Sequence, residues 1–257
     1  MNEKTPNKQN LYSENWISII ISCDLINGLF LYSSTGNADL LKQRLQSLKV
    51  SFFNSKEKKY LGFELSSQCV FDIWYCSKLY GYGDLFKPNK SFLKKIVDNI
   101  YSSISHKTPQ QSAYDYVFLR SLEECSNEYF FPDSVFKQIK ENASRDYLCY
   151  FYYLTHVIFY DLKFGLVKYD GSCKGALEEL TVLLTDPIVS SKILNVGYCD
   201  ILSEILIAFI LCDSSNTSIF HKIEKIIESF SGNSNYHTRT VVKVYENLKK
   251  CEYKNSK

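Results

Sequence analysis

Two of the most apolar stretches of the chain each retain ionisable side chains. YLCYFYYLTHVIFY (147–160) contains His156, and CDILSEILIAFILC (199–212) contains Asp200 and Glu204. A helix that is apolar on every side is one surrounded by other helices, so His156 is expected to be desolvated. Burial disfavours an imidazolium, and a buried ring needs hydrogen-bond partners for its nitrogens. Tyr152, Tyr153 and Tyr160, at i−4, i−3 and i+4, share its helical face and can supply them. Two readings stay open: a neutral core histidine satisfied by a tyrosine or a backbone carbonyl, or a general acid or base.

Asp200 and Glu204 are one helical turn apart, a spacing that can divide acid and base work or ligate a metal. Asp200 also stands where a helix N-cap is expected, and a carboxylate is favourable there without any chemistry. Glu204 is followed by seven apolar residues. A glutamate on such a helix is seldom buried without a partner, and His156 and Arg120 are the candidates. Arginine is scarce here, four against 26 lysines, and Arg120 lies in the apolar segment YDYVFLRSLEE. Its planar fork suits a carboxylate or an anionic ligand, and equally a plain bridge between helices. Asp161 ends the His156 helix, where the dipole disfavours negative charge. Two readings stay open: an exposed residue at a fraying end, or one with a cationic partner such as Lys163, Lys168 or a residue of a neighbouring helix. The catalytic candidates are thus His156, Glu204 and Asp200, with Arg120, Tyr160, Tyr153 and Trp74 as candidates for substrate binding.

Trp74 enters through a faint internal echo. FDIWYCSKLYGYG (71–83) aligns without gaps on YLTHVIFYDLKFG (153–165), with Trp74 at the place of His156. The match favours repeated helical pairs.

The elements that must position these residues are helices almost throughout. Apolar spacing predicts helices over about 14–32 and 39–48 and a long one over 60–80, closed by Gly81 and Gly83. Others follow Pro88, Thr108, Pro132 and Pro187. Thr108, Pro109 and Gln111 together form an N-terminal capping signature. The later helices are expected near 199–212, 217–230 and 236–250. Val50–Phe53 is the one stretch that reads as extended. About eleven helices result, an all-α chain of antiparallel helix pairs arranged as an α/α solenoid or a toroid. Residues 13–250 read as one domain, divisible near 127–132, between disordered tails at 1–12 and 251–257.

Composition excludes several functions. A net charge of +2 gives no field for nucleic acid or an anionic membrane. Nine cysteines without a close C-x2–4-C pair fit buried thiols in a reducing cytoplasm, not zinc or a disulfide framework. The amino-terminal residues read as no secretory signal, and no apolar run reads as long enough to span a bilayer. Nucleotide-binding glycine motifs, H-E-x-x-H and G-x-S-x-G are all missing, and neither metal nor cofactor is expected.

At LTHVIFYDLKFG and CDILSEILIAFIL the chain resembles a poorly characterised family of bacterial all-α proteins. Its pattern is Thr-His, Phe-Tyr, an acidic residue and Phe-Gly, then an Asp-Leu-x-x-Glu-Leu-Leu-like helix. Thr155, His156, Phe159, Tyr160, Phe164, Gly165, Asp200 and Glu204 carry the resemblance, within about 145–213. Asp161 departs from it, since the acidic residue belongs nearer Lys163. Such proteins accompany natural-product or modified-peptide gene clusters, so the resemblance implies a role in specialised metabolism. Two functions remain: a non-catalytic helical-repeat protein binding a peptide or protein partner on a concave face, or a small tailoring enzyme. In the second, His156 exchanges protons with a small-molecule substrate and Glu204 or Asp200 orients it.

Overall fold

The computed structural model describes residues 8–53, 59–60, 63–64, 67–80, 87–215, 217–230 and 235–255. Among them are twelve α-helices: α1 (Lys8–Thr35), α2 (Asp39–Phe53), α3 (Ser67–Leu79), α4 (Lys90–Ser103), α5 (Pro109–Cys125), α6 (Asp133–Ala143), α7 (Tyr147–Asp161), α8 (Lys174–Thr185), α9 (Pro187–Ile193), α10 (Cys199–Leu211), α11 (Ser218–Glu228) and α12 (Tyr236–Asn255). Two two-residue strands, Lys59–Tyr60 and Phe63–Glu64, paired antiparallel, are the only strands among the described residues.

The helices begin where local chemistry satisfies their first N–H groups. Asn89, Asp146 and Thr217 each accept a backbone N–H of the first turn of α4, α7 and α11. Thr108 and Gln111 form the full reciprocal box at α5, with Pro109 in its first turn. Asp186 caps α9 ahead of Pro187.

Six helices pack in sequence around a ring: α1 on α3, α3 on α5, α5 on α7, α7 on α10, α10 on α12, and α12 back on α1. Outside it lie α2 on α1, α6 on α5, α8 on α7 and α11 on α10, with α9 packed on α8 and α4 running into the short 3-10 turn Ile104–His106 that meets α6. Ring closure makes the architecture a toroid and not an open solenoid. It also explains why α7 and α10 are apolar all round: each has ring neighbours on two sides, an outer helix behind and the ring interior in front. Ten of the thirteen residues of α10 are buried. Gly28 lets α1 and α2 approach closely, since a Cβ there would meet the Leu41 backbone at 3.2 Å.

Several boundaries differ from the sequence expectation. Helix α1 starts at Lys8, inside the expected tail; residues 1–7 are outside those described. Val50–Phe53 is helical, the end of α2. The third helix spans 67–79, and Gly81 and Gly83, read as its stop, lie outside the described residues. Helix α8 gave no start signal that the sequence reading used; its N-cap, Cys173, makes no side-chain cap. Helix α12 runs on to Asn255, through most of the expected tail.

Ser18–Thr35 is long and apolar enough to cross a membrane by length and composition, contrary to the expectation that no stretch would be. The single charge within it, Asp24, is tolerated because it is paired: Arg44 of α2 bridges to it and Tyr236 donates its hydroxyl to Asp24 Oδ1 at 2.7 Å. In the fold this segment forms one wall of the ring.

Candidate functional site

The ring interior holds a partly open cavity of about 710 Å³ to which all six of its helices contribute, within the range typical of small-molecule sites. Most of its wall is apolar, including Ile26 and Phe30 of α1, Phe118 of α5, Phe159 of α7, Ile207 of α10 and Val244 of α12. An adjoining antechamber of about 430 Å³ is lined by the first turns of α5 (Gln110, Ala113), α7 (Leu148, Cys149), α10 (Asp200, Ile201) and α12 (His237). Tyr114, Tyr152, Glu204 and His237 line both spaces and so mark their junction.

Glu204 sits at that junction and is only 6 % exposed. Its Oε2 accepts from Thr155 Oγ1 at 3.1 Å and lies 3.9 Å from His156 Nδ1; Oε1 lies 3.9 Å from His237 Nε2. Burial pushes its pKa up to about 8, and the charge of Asp200 one turn away adds to this against the opposing hydrogen bond from Thr155. At neutral pH the group is therefore a carboxylic acid, able to donate a proton. In that state its O–H can donate to Thr155, whose own hydroxyl passes on to the Tyr152 carbonyl at 3.0 Å.

His156 is defined by its backbone contact. Nδ1 lies 2.9 Å from the Tyr152 carbonyl, and a carbonyl only accepts, so Nδ1 carries the proton. Nε2 keeps its lone pair, and no described residue donates to it. The ring stacks on Tyr152 with centroids 3.9 Å apart and lines the cavity. Burial lowers its pKa to about 4, partly offset by the Tyr152 carbonyl, so it stays neutral across the physiological range.

The turn Lys163–Gly165 sets Phe164 in the cavity wall. Lys163 and Phe164 both adopt positive φ, 46° and 55°, an unusual backbone for side-chain-bearing residues. It swings the Phe164 ring against Phe30, Phe159, Tyr160 and Tyr75, with centroids 5.3 to 5.8 Å apart. Gly165 follows at φ 91°, where a Cβ would meet Ser33 Oγ at 2.9 Å. The Tyr160 hydroxyl is held at 2.8 Å from Ser121 Oγ.

The residues singled out from sequence divide into two groups. His156, Glu204 and Tyr160 line the cavity, and Asp200 lines the antechamber. Asp200 is not the cap of α10, because the helix starts one residue earlier and Tyr198 holds the cap position. Arg120, Tyr153 and Trp74 lie elsewhere. Arg120 points away from the ring interior and binds Asp161 at 3.0 Å and Glu123 at 2.9 Å. The partner that Asp161 needs is therefore Arg120 itself, which has no contact with Glu204. Tyr153 is rotated one step, about 100°, past Tyr152 around α7, and packs on Tyr116 at 4.8 Å. Trp74 is fully buried behind the ring wall, and α3 presents Asp72 to the cavity in its stead. The residues that carry the resemblance nevertheless converge: each lines one of the two spaces or, like Thr155 and Gly165, supports a residue that does.

Sequence reasoning missed Cys23, Asp72 and His237. His237 was findable, as one of four histidines and the start of a helix whose apolar residues Val241 and Val244 follow at i+4 and i+7. It lies opposite Cys23, with Nδ1 3.5 Å from the thiol. Among the described residues no cluster of three or more His, Cys, Asp or Glu has a geometry suited to a metal ion.

The chain matches no protein-family model, no curated protein and no solved structure at a significant level.

Proposed function

We propose that this protein is a small enzyme that encloses a mostly apolar small molecule in the ring and transfers protons at that molecule's one polar end. The observation that carries the reading is Glu204: a buried carboxylic acid between two imidazoles, each 3.9 Å away, in the wall of a cavity otherwise lined largely by hydrocarbon. A group with a pKa of about 8 is well matched to act as an acid near neutrality. The lone pair of His156 Nε2 supplies an acceptor for a hydroxyl or amide of the bound molecule. Retaining such groups in the two most apolar helices costs stability, an inconsistency expected where a site needs it.

The expectation of a peptide or protein partner on a concave face has less support, because α12 packs on α1 and the helices form a ring, not an open solenoid with an extended concave face. Specialised metabolism remains the context that the resemblance suggests. Nine cysteines without a disulfide among the described residues favour a cytoplasmic setting.

Two measurements test this. N-phenyl-1-naphthylamine, a neutral apolar fluorophore, is expected to bind saturably at one site and to lose that site in Ile207→Trp, which fills the cavity. Mass spectrometry of an apolar cell extract should then show species consumed by the wild-type protein and spared by Glu204→Gln. Absence of saturable fluorophore binding, or identical extracts with both proteins, would overturn the proposal.

A further inference from the structure

We infer that Cys23 is a nucleophile in this cavity, with His237 as its general base and Glu204 behind the base, and that the substrate is an apolar acyl group activated as an ester or thioester. The inference rests on the cavity being an enzyme site and names its substrate class.

The geometry is that of a nucleophile, a base and an orienting carboxyl in line. Cys23 Sγ lies 3.5 Å from His237 Nδ1, and Nε2 of the same ring lies 3.9 Å from Glu204 Oε1. All three line the cavity. If the thiol donates to Nδ1, the ring proton must sit on Nε2 and face Glu204, the tautomer that a base needs. A 3.9 Å separation is longer than a hydrogen bond, as catalytic contacts often are before substrate arrives.

The pairing is also braced by neighbouring residues. Asp24, next to Cys23, accepts from the hydroxyl of Tyr236, next to His237, at 2.7 Å, and Arg44 bridges to Asp24 from α2. That contact locks the start of α12 onto the middle of α1, and the Cys23–His237 pair follows from it. Burial first, and then the carboxylate of Asp72, keep the free thiol protonated, with its pKa pushed up to about 12, so the proton must leave in concert with attack.

The two spaces fit the two halves of such a substrate. The acyl chain occupies the apolar cavity and the leaving group occupies the antechamber, with the carbonyl at the junction formed by Glu204 and His237. In the step itself Sγ attacks the carbonyl carbon and the thiol proton passes to His237 Nδ1. The new S–C bond forms as the bond from the acyl carbon to the leaving oxygen or sulfur breaks, and His237 returns the proton to that atom. Water or an amine then takes the acyl group and regenerates the thiol.

p-Nitrophenyl octanoate tests the assignment on the full chain. A burst of one equivalent of p-nitrophenol is expected, with the octanoyl mass increment on the peptide containing Cys23. The burst disappears in Cys23→Ala and slows about 100-fold or more in His237→Asn, while both variants keep the far-ultraviolet circular dichroism of the wild type. Acylation centred on Cys149 in the antechamber, or an unchanged rate in His237→Asn, would overturn the assignment. Loss of fluorophore binding in the wild-type protein would instead remove the enclosed-ligand reading beneath it.

Discussion

Helix α7 carries ionisable groups in two settings. At its C-terminal end Asp161 meets Arg120, which also holds Glu123, while Lys163 takes Glu124 at 3.0 Å. One and a half turns earlier His156 stands beside Glu204, and neither has a charged partner within hydrogen-bonding distance. The first group is a lattice of complementary charges that joins α5 to α7 at a partly open surface. The second is a set of groups held neutral by burial, in a space the core does not fill. Charges that the fold uses for cohesion are paired; groups left mismatched face a cavity. Apolar surroundings look alike around both in the sequence, and pairing is what separates them.

The comparison can be broken most sharply at Arg120. Arg120→Met should cost about 3 kcal/mol in urea unfolding, because Asp161 is left partly buried without its cation. Binding of N-phenyl-1-naphthylamine should survive it. Lost binding would mean that the two regions act as one site.

The next largest effect lies in pH. Glu204 ionises near 8 in the folded chain, against its ordinary value of 4.5, so its contribution to stability is complete below 4.5 and is lost as pH rises towards 8. His156 runs the other way: its folded value of about 4, against 6.5, gives a contribution present above 6.5 and lost as pH falls through 4. The two oppose each other between 4.5 and 6.5. From pH 6.5 to 8 only Glu204 remains, and stability should fall by about 2 kcal/mol. Chemical denaturation at successive pH values checks this, and Glu204→Gln should flatten that interval. An unchanged slope in the variant would refute the protonated acid.

Gly165→Ala tests the turn that sets Phe164 in the cavity wall. Positive φ and the contacts with Ser33 and Leu211 predict a loss of about 1–2 kcal/mol, read as a lower thermal midpoint together with weaker fluorophore binding, since Phe164 shifts with the backbone. Smallest is Thr155→Val, at about 1 kcal/mol for one hydrogen bond. Its sharper readout is the pH midpoint assigned to Glu204, which should move above 8 because Thr155 lowers it.

Much of this was legible in the residues. The all-α class followed from apolar spacing with almost no alternation, and the starts of α5, α6 and α9 followed from Thr108, Pro132 and Asp186 with their prolines. His156 and Glu204 stood out because a polar group in an all-round apolar helix has few explanations. Arg120 stood out for its scarcity in an apolar segment, with a carboxylate, an anionic ligand and a bridge between helices all left open, and the bridge, to Asp161, is the one it makes: which way a side chain leaves a buried helix depends on neighbours that spacing does not reveal. Trp74 shows the same limit, since an aligned position in a repeat need not face the same way when only one of the pair, α7, presents that face to the cavity.

What the sequence by itself determined is local: helix periodicity, capping and the presence of costly polar groups, each set by interactions within a few turns of chain. Ring closure, the cavity and the meeting of Cys23 with His237 across 214 residues were decided only by tertiary structure. Those contacts join opposite ends of the chain, and nothing in the spacing of either helix specifies the face it will offer the other until both are packed in the ring.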